Sequence, residues 1–206
     1  MKKKGKNIPQ LDVFVAAAAG IFAGAAVFEI IPESAKQLGW PTAIVFAAFG
    51  CIAWYAVARI ANGFSKNAFA FAASLAIWFH SVLEGAITAV GLNIGGAVGI
   101  GIVLGMILHL FPEFFAVVAI LRSEGFSFKK SVMVDVVTIL VLLASFGITY
   151  YGLRQISQQA LVALEAMSAG AFLYIAGHSL FKRLGAVSFG GAILGLLLML
   201  AIRVFA

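Results

Sequence analysis

Charged residues are scarce in this sequence. Only 11% of its 206 residues are Asp, Glu, Lys or Arg, whereas 63% are hydrophobic. A soluble domain of this size has no interior large enough to hide so much apolar surface from water. The composition therefore excludes a soluble globular domain and predicts an all-α integral membrane protein.

Cysteine and linker sequence are also nearly absent. The single cysteine, Cys51, excludes a disulfide framework and a cysteine metal cluster. Every predicted loop is short and no low-complexity segment interrupts the chain, so we expect one transmembrane domain over residues 1–206. The net charge of +6 comes mostly from short loops, which indicates an orientation in the lipid bilayer and no nucleic-acid partner. A homo-oligomer is compatible with these features, and the sequence leaves the oligomeric state open.

Long apolar runs dominate what remains. Windows of about 20 residues, enough to cross the hydrocarbon core, predict a bundle of seven transmembrane helices. The first apolar run lacks a clear cleavage site, so we interpret it as a retained helix and not a signal peptide. The predicted spans are residues 11–31, 41–61, 67–92, 95–121, 131–151, 158–181 and 187–206.

Basic residues fall unevenly between the two predicted sides of the membrane. Eleven of them collect on the side of the N-terminus: Lys2, Lys3, Lys4, Lys6, Arg59, Lys66, Arg122, Lys129, Lys130, Lys182 and Arg183. The other side has three: Lys36, Arg154 and Arg203. Because cytoplasmic loops are enriched in Lys and Arg, we expect a cytoplasmic N-terminus and an outer C-terminus in the cell membrane.

Two five-residue segments inside the apolar spans each pair a histidine with a glutamate. These segments are His80-Ser81-Val82-Leu83-Glu84 and His109-Leu110-Phe111-Pro112-Glu113. A spacing of four residues places both side chains on one face of a helix, one turn apart. Ionisable groups at this depth cost at least ~2.5 to 3.5 kcal/mol each, so we interpret them as functional. The alternative is two hydrogen-bonded pairs that only join two helices.

The glycine-rich segment between them, residues 91–96, predicts a tight reversal. His80 lies 14 residues before Ile94 and His109 lies 15 after it, so a hairpin brings the imidazoles to nearly the same depth. Two imidazoles and two carboxylates then converge, which is a ligand set suited to Zn²⁺ or a similar divalent cation. Pro112 removes a backbone hydrogen bond, and we expect irregular backbone there.

Five other ionisable residues are candidates for an entry or exit path. Glu29 and Glu33 form either a cation-attracting mouth or a hydrated pair at the interface. Asp135 is either a favourable charge at a helix N-terminus or an exit residue. We expect Glu165 to lie near the entrance and His178 to serve as a release ligand or proton relay.

At these residues the chain resembles the ZIP family of divalent-metal transporters, whose fourth and fifth helices carry His, Pro and Glu in related motifs. The second and seventh family helices are similar to the regions around Glu29 to Glu33 and Ala169 to Ala176. The resemblance implies inward transport of a divalent metal, Zn²⁺ first, by His80, Glu84, His109 and Glu113.

The chain departs from the family in two ways. Its first predicted span is similar to the family's second, so the family's first helix has no counterpart. Ser81 and Leu110 stand where many members have donors for a second metal, so we expect one tightly held ion. Two alternatives stay open: a seven-span zinc hydrolase using all three histidines, although no H-E-x-x-H motif is present, and a metal sensor that does not transport. The sequence does not select among Zn²⁺, Fe²⁺, Mn²⁺ and Cd²⁺, nor does it identify a coupling ion.

Overall fold

The computed structural model describes residues 9–152, 157–182 and 186–205, and these residues are almost entirely helical, with no strand among them. The basic residues Lys2, Lys3, Lys4, Lys6, Arg154 and Arg183, which enter the predicted orientation, lie outside these ranges. The helices are α1 Pro9–Gly24, a π-helical segment Ala25–Ile30, α2 Ile31–Leu38, α3 Trp40–Ala61, α4 Ala68–Ile94, α5 Gly96–Ser123, α6 Phe128–Tyr151, α7 Gln158–Phe181 and α8 Ala186–Phe205.

Among the described residues, six helical stretches are long and apolar enough to cross a membrane. They are Leu11–Leu38, Trp40–Ala61, Ala68–Asn93, Gly99–Ser123, Phe128–Tyr151 and Gln158–Phe181. The seventh predicted span corresponds to a shorter apolar helix, Phe189–Val204. Large apolar side chains cover the outward faces of α3, α5 and α6, where under a third of each apolar window is buried. Such faces suit lipid, so the length and composition of these helices indicate a multi-pass membrane protein.

The first span is longer than predicted. It continues through the π-helical segment and α2 to Leu38, instead of ending near residue 31. Pro32 does not stop it: this residue follows the π-helical segment directly and falls in the first turn of α2. The irregular backbone of the bundle therefore lies at residues 25–30, whereas α5 runs without a break through Pro112.

Glycine lets three pairs of helices pack with their backbones in close approach. A Cβ atom on Gly195 of α8 would overlap the carbonyl of Ala17 in α1. Gly170 of α7 is packed in the same way on Ala47 of α3, and Gly85 of α4 on Leu142 of α6. Small residues allow such approach where lipid supplies no hydrophobic drive to association. These contacts fix α4 and α7, which both border the site described below.

The α4–α5 hairpin turns more tightly than predicted. α4 ends at Ile94 and α5 begins at Gly96, so Gly95 is the only residue between them. Gly95 and Gly96 have φ angles of 76° and 62°, respectively, which glycine adopts without steric cost. Gly91 is still helical and packs on Ile102 across the hairpin. The two helices are therefore antiparallel from their first turns.

Basic residues mark one end of the described bundle. Arg59, Lys66, Arg122, Lys129, Lys130 and Lys182 lie at the ends of α3, α5 and α7 or the starts of α4 and α6. We call this the basic end. Lys36 and Arg203 lie at the opposite end with the α4–α5 turn, which we call the hairpin end. This uneven distribution of Lys and Arg is the basis on which the sequence predicts that the basic end faces the cytoplasm.

Candidate metal centre

The α4–α5 hairpin brings together the four residues of the two His–Glu segments. One donor atom from each of His80, Glu84, His109 and Glu113 lies within 4.8 Å of the other three. His80, Glu84 and Glu113 are at most 5% exposed, and the His109 side chain is 14% exposed. The spacing of four residues within each helix and the antiparallel pairing of the helices produce this convergence. The arrangement is a buried His/Glu group that could hold a metal ion.

The distances around His80 fit a first-row metal. Its Nε2 lies 3.3 Å from Oε1 of Glu84 and 3.8 Å from Oε1 of Glu113. In a tetrahedral site with bonds of about 2.0 to 2.2 Å, donor atoms lie roughly 3.3 to 3.6 Å apart. The distance to Glu84 falls in this range and the distance to Glu113 is slightly longer, so the three atoms are close to the spacing of tetrahedral Zn²⁺ ligands.

The hydrogen bonds within the cluster leave some of its nitrogen and oxygen atoms without a partner. His109 Nε2 bonds to Glu84 Oε1, and since a carboxylate only accepts, the histidine donates. His80 Nε2 and Glu84 Oε2 are buried with no hydrogen-bond partner. Buried polar atoms are almost always paired, because an unpaired one loses its hydration without compensation. A cation at this point would satisfy both atoms, and it would take the place of the proton on His109 Nε2.

Two further carboxylates approach the histidines from other helices. Glu29, in the π-helical segment, places Oε1 3.2 Å from Nδ1 of His109. Glu165 of α7 places Oε1 3.6 Å from Nδ1 of His80. The sequence suggested a mouth and an entrance for these residues, and the structure places both in the wall of the His/Glu cluster. Each of these two carboxylates faces the Nδ1 atom of its histidine, whereas Glu84 faces the Nε2 atoms.

Helix α7 contacts His80 through two residues that the sequence analysis did not identify. Ser168 Oγ lies 3.0 Å from His80 Nδ1, and the Phe172 ring packs on the imidazole with centroids 4.6 Å apart. Both are fully buried. A local signal existed for Ser168, which follows Glu165 by three residues and so shares its helix face. Its contact with a histidine 88 residues away could not be found from spacing.

A cavity of about 510 Å³ leads from the cluster towards the hairpin end. The cluster residues, Glu29 and Glu165 line its inner part, and Gln37, Gln158, Glu33 and Arg203 line its outer part. Glu33 is exposed and forms ion pairs with Lys36 at 2.7 Å and Arg203 at 3.4 Å. Exposed pairs of this kind contribute little stability.

Asp135 and His178 lie outside this cavity. Asp135 is buried in α6, and its Oδ1 has no hydrogen-bond partner. His178 stacks on the Phe69 ring with centroids 3.9 Å apart, near the ion pair of Lys182 with Glu124 at the basic end. Neither is among the residues that line the cavity, and the same holds for Ser81 and Leu110. The structure therefore places Asp135 and His178 apart from the cavity, whereas Ser81 and Leu110 are the chain neighbours of His80 and His109.

Comparison with protein-family models found no match, and neither did comparison with curated proteins.

Proposed function

We propose that this chain transports a divalent metal ion, Zn²⁺ first, inward across the cytoplasmic membrane through the His/Glu cluster. The observation that carries the proposal is the convergence of two imidazoles and two carboxylates within 4.8 Å, buried among apolar helices. Ionisable residues at such a depth are costly, and they typically mark an ion path. The metal is here the cargo and not a resident cofactor.

Charge balance supports a dication at this point. Neutral imidazole and ionised carboxylate are the forms that bind metal, so His80, His109, Glu84 and Glu113 together carry two negative charges when they bind. A divalent ion neutralises these charges. A monovalent ion would leave one of them uncompensated in a region of low dielectric, which is unfavourable. The mix of nitrogen and oxygen donors favours Zn²⁺ and its neighbours over Ca²⁺ or Mg²⁺.

The cavity supports passage in addition to binding. It joins the cluster to the hairpin end, which the distribution of basic residues predicts to be the outer side. The resemblance of the two His–Glu segments to the motifs of ZIP transporters also favours transport, and it agrees with an inward direction. Glu29 and Glu165 deepen the negative potential at the inner end of this cavity, which attracts cations.

A zinc hydrolase is the second candidate, and a sensor that does not transport is the third. The hydrolase that the sequence suggests would hold its metal with all three histidines. His178 stacks on Phe69 instead and does not line the cavity. This position counts against the three-histidine form of the hydrolase. The sensor shares the binding site and differs only in the absence of flux.

Purified protein in lipid vesicles containing a zinc indicator tests the proposal. We expect zinc influx with the unmodified chain, loss of influx with His109→Ala, and retention of most influx with Asp135→Asn. The second variant removes a buried acid that does not line the cavity, and loss of influx in it would instead support Asp135 as an exit residue. Binding without flux would support the sensor and overturn transport. Hydrolytic turnover without flux would support the enzyme.

A further inference from the structure

We propose that Ser168 is a positioning residue that fixes the tautomer of His80, so that Nε2 and not Nδ1 is the atom presented to the metal. The inference rests on the proposed metal site but assigns a role to a helix outside the α4–α5 hairpin. Three observations carry it: the direction of two hydrogen bonds at Ser168, the packing of Phe172 on the same imidazole, and the unpaired Nε2 of His80.

The hydroxyl of Ser168 has one proton, and that proton is already used. Ser168 Oγ donates to the backbone carbonyl oxygen of Glu165 at 2.7 Å, one turn back in α7. In its 3.0 Å contact with His80 Nδ1 the oxygen must therefore accept, and Nδ1 must carry a hydrogen. In a neutral imidazole the other nitrogen then has the free lone pair. That nitrogen is Nε2, which faces Glu84 and Glu113.

Glu165 does not replace Ser168 in this role. Its Oε1 is 3.6 Å from His80 Nδ1, which is too far for a hydrogen bond, and its Oε2 has no hydrogen-bond partner. The backbone carbonyl of Glu165 acts instead. It accepts the hydrogen bond that the Ser168 hydroxyl donates, so the hydroxyl oxygen is left to accept from His80 Nδ1–H. The carboxylate adds only a favourable charge near the Nδ1–H group.

Phe172 holds the ring in the orientation that this hydrogen bond needs. It follows Ser168 by four residues, so both lie on one face of α7. Its ring packs on the imidazole at an interplanar angle of 59° and on Phe22 with centroids 4.8 Å apart. Gly170, between them, is in close backbone contact with Ala47 of α3, which leaves α7 little freedom to shift. The imidazole is thus held at one edge by Ser168 and against its side by Phe172.

The opposite tautomer would place an N–H group where the metal needs a lone pair. Removing the partner that fixes a ligating histidine typically weakens metal binding by about 10- to 100-fold. We therefore expect Ser168→Ala to raise the Zn²⁺ Kd by about tenfold or more. Ser179→Ala is the matched control, since Ser179 is another buried serine of α7 and does not contact the cluster.

The test combines Zn²⁺ titration calorimetry with nitrogen-15 NMR of histidine-labelled protein in micelles, using His80→Asn to assign the His80 signals. In the unmodified protein we expect a hydrogen on His80 Nδ1 before and after Zn²⁺ is added, and Zn²⁺ attached through Nε2. In Ser168→Ala we expect the Nδ1–H signal to shift and weaken, together with the loss of affinity.

Two results would overturn the role of Ser168. The first is that His80 Nδ1 carries no hydrogen in the unmodified protein. The second is that Ser168→Ala has the same Zn²⁺ Kd and the same Nδ1–H signal as the control Ser179→Ala. Failure of the proposed function looks different. If the unmodified protein bound no Zn²⁺, the metal site would be refuted, while the Nδ1 hydrogen of the metal-free protein and its response to Ser168→Ala would still decide the role of Ser168.

Discussion

His109 donates a hydrogen bond from Nε2 to the carboxylate of Glu84, across the two helices of the hairpin and over 25 residues of sequence. The same Glu84 oxygen lies 3.3 Å from His80 Nε2, so it stands between the two imidazoles. Glu84 is therefore the central acceptor of the cluster. Bringing a metal into this position means replacing a hydrogen bond of the protein by a bond to the ion.

The two ligands at the edges of the cluster provide a binding test. We expect His109→Ala and Glu113→Gln each to abolish the thermal stabilisation produced by Zn²⁺, because each removes a charge or a donor atom from the site. A ligand that binds only the folded state stabilises it by about 2.7 kcal/mol at 100 times its Kd. Thermal unfolding in detergent, with and without Zn²⁺, measures this shift.

Asp135→Asn is the control for these two variants. It removes a buried carboxylate from α6, outside the cavity, so most of the shift should remain. A loss equal to that of Glu113→Gln would place the metal at a different depth from the His/Glu cluster.

Acid should weaken metal binding. Imidazole must be neutral and carboxylate ionised to act as a ligand, so protons compete with the metal for the same atoms. We expect the Zn²⁺ Kd to rise as the pH is lowered, and binding to release protons. Calorimetry in two buffers of different ionisation enthalpy measures the proton release, and an identical apparent enthalpy in both would contradict it.

The orientation of the chain can be tested at the hairpin. Asn93 is exposed in the last turn of α4, beside Gly95. In a Cys51→Ala background, we expect a cysteine at position 93 to react with an impermeant thiol reagent from outside intact cells. A cysteine at the exposed Lys129, at the basic end, should react only after the membrane is opened. The reverse pattern would invert the topology and with it the direction of transport.

The sequence predicts the hairpin and the convergence of its four candidate ligands because both rest on local spacing. His80 and Glu84 share a face by helical geometry, and nearly equal distances from the glycine turn place His109 opposite them. The position of Glu29 does not follow from spacing. A π-helical segment inserts an extra residue per turn, which rotates the following side chains by about 100° relative to an unbroken α-helix. Ser168 depends on the packing of α7 against α4, and no local pattern encodes that contact.

Adding one methyl group to a glycine that packs directly on a neighbouring helix should lower the stability of the protein. A Cβ on Gly85 would overlap the Leu142 carbonyl, whereas a Cβ on Gly147 of α6 would meet nothing within 4 Å. We expect Gly85→Ala to destabilise the protein by roughly 1 to 3 kcal/mol through overpacking. Gly147→Ala should be neutral or stabilising by about 0.5 to 1 kcal/mol, since alanine favours the helix. Unfolding in denaturant compares them, and equal effects would refute the close α4–α6 contact.

The number of bound ions is decided by which carboxylates serve as ligands. Leu110 has no donor atom and Ser81 offers only a neutral hydroxyl, so the second position that the ZIP resemblance would suggest is poorly supplied with ligands. Glu29 approaches His109 from the Nδ1 side, opposite the nitrogen that faces Glu84, and so it is placed as a partner of the histidine. We expect one tightly held metal per chain.

Elemental analysis after mild dialysis measures this number. The unmodified chain and Glu29→Gln should both retain about one Zn²⁺ at saturating metal, although Glu29→Gln should bind it more weakly because His109 loses its charged partner. Glu113→Gln should retain almost none, since it loses one of the four proposed ligands. A value near two that falls to one in Glu29→Gln would instead make Glu29 a ligand of a second ion. A value near zero for the unmodified chain would refute the metal site itself.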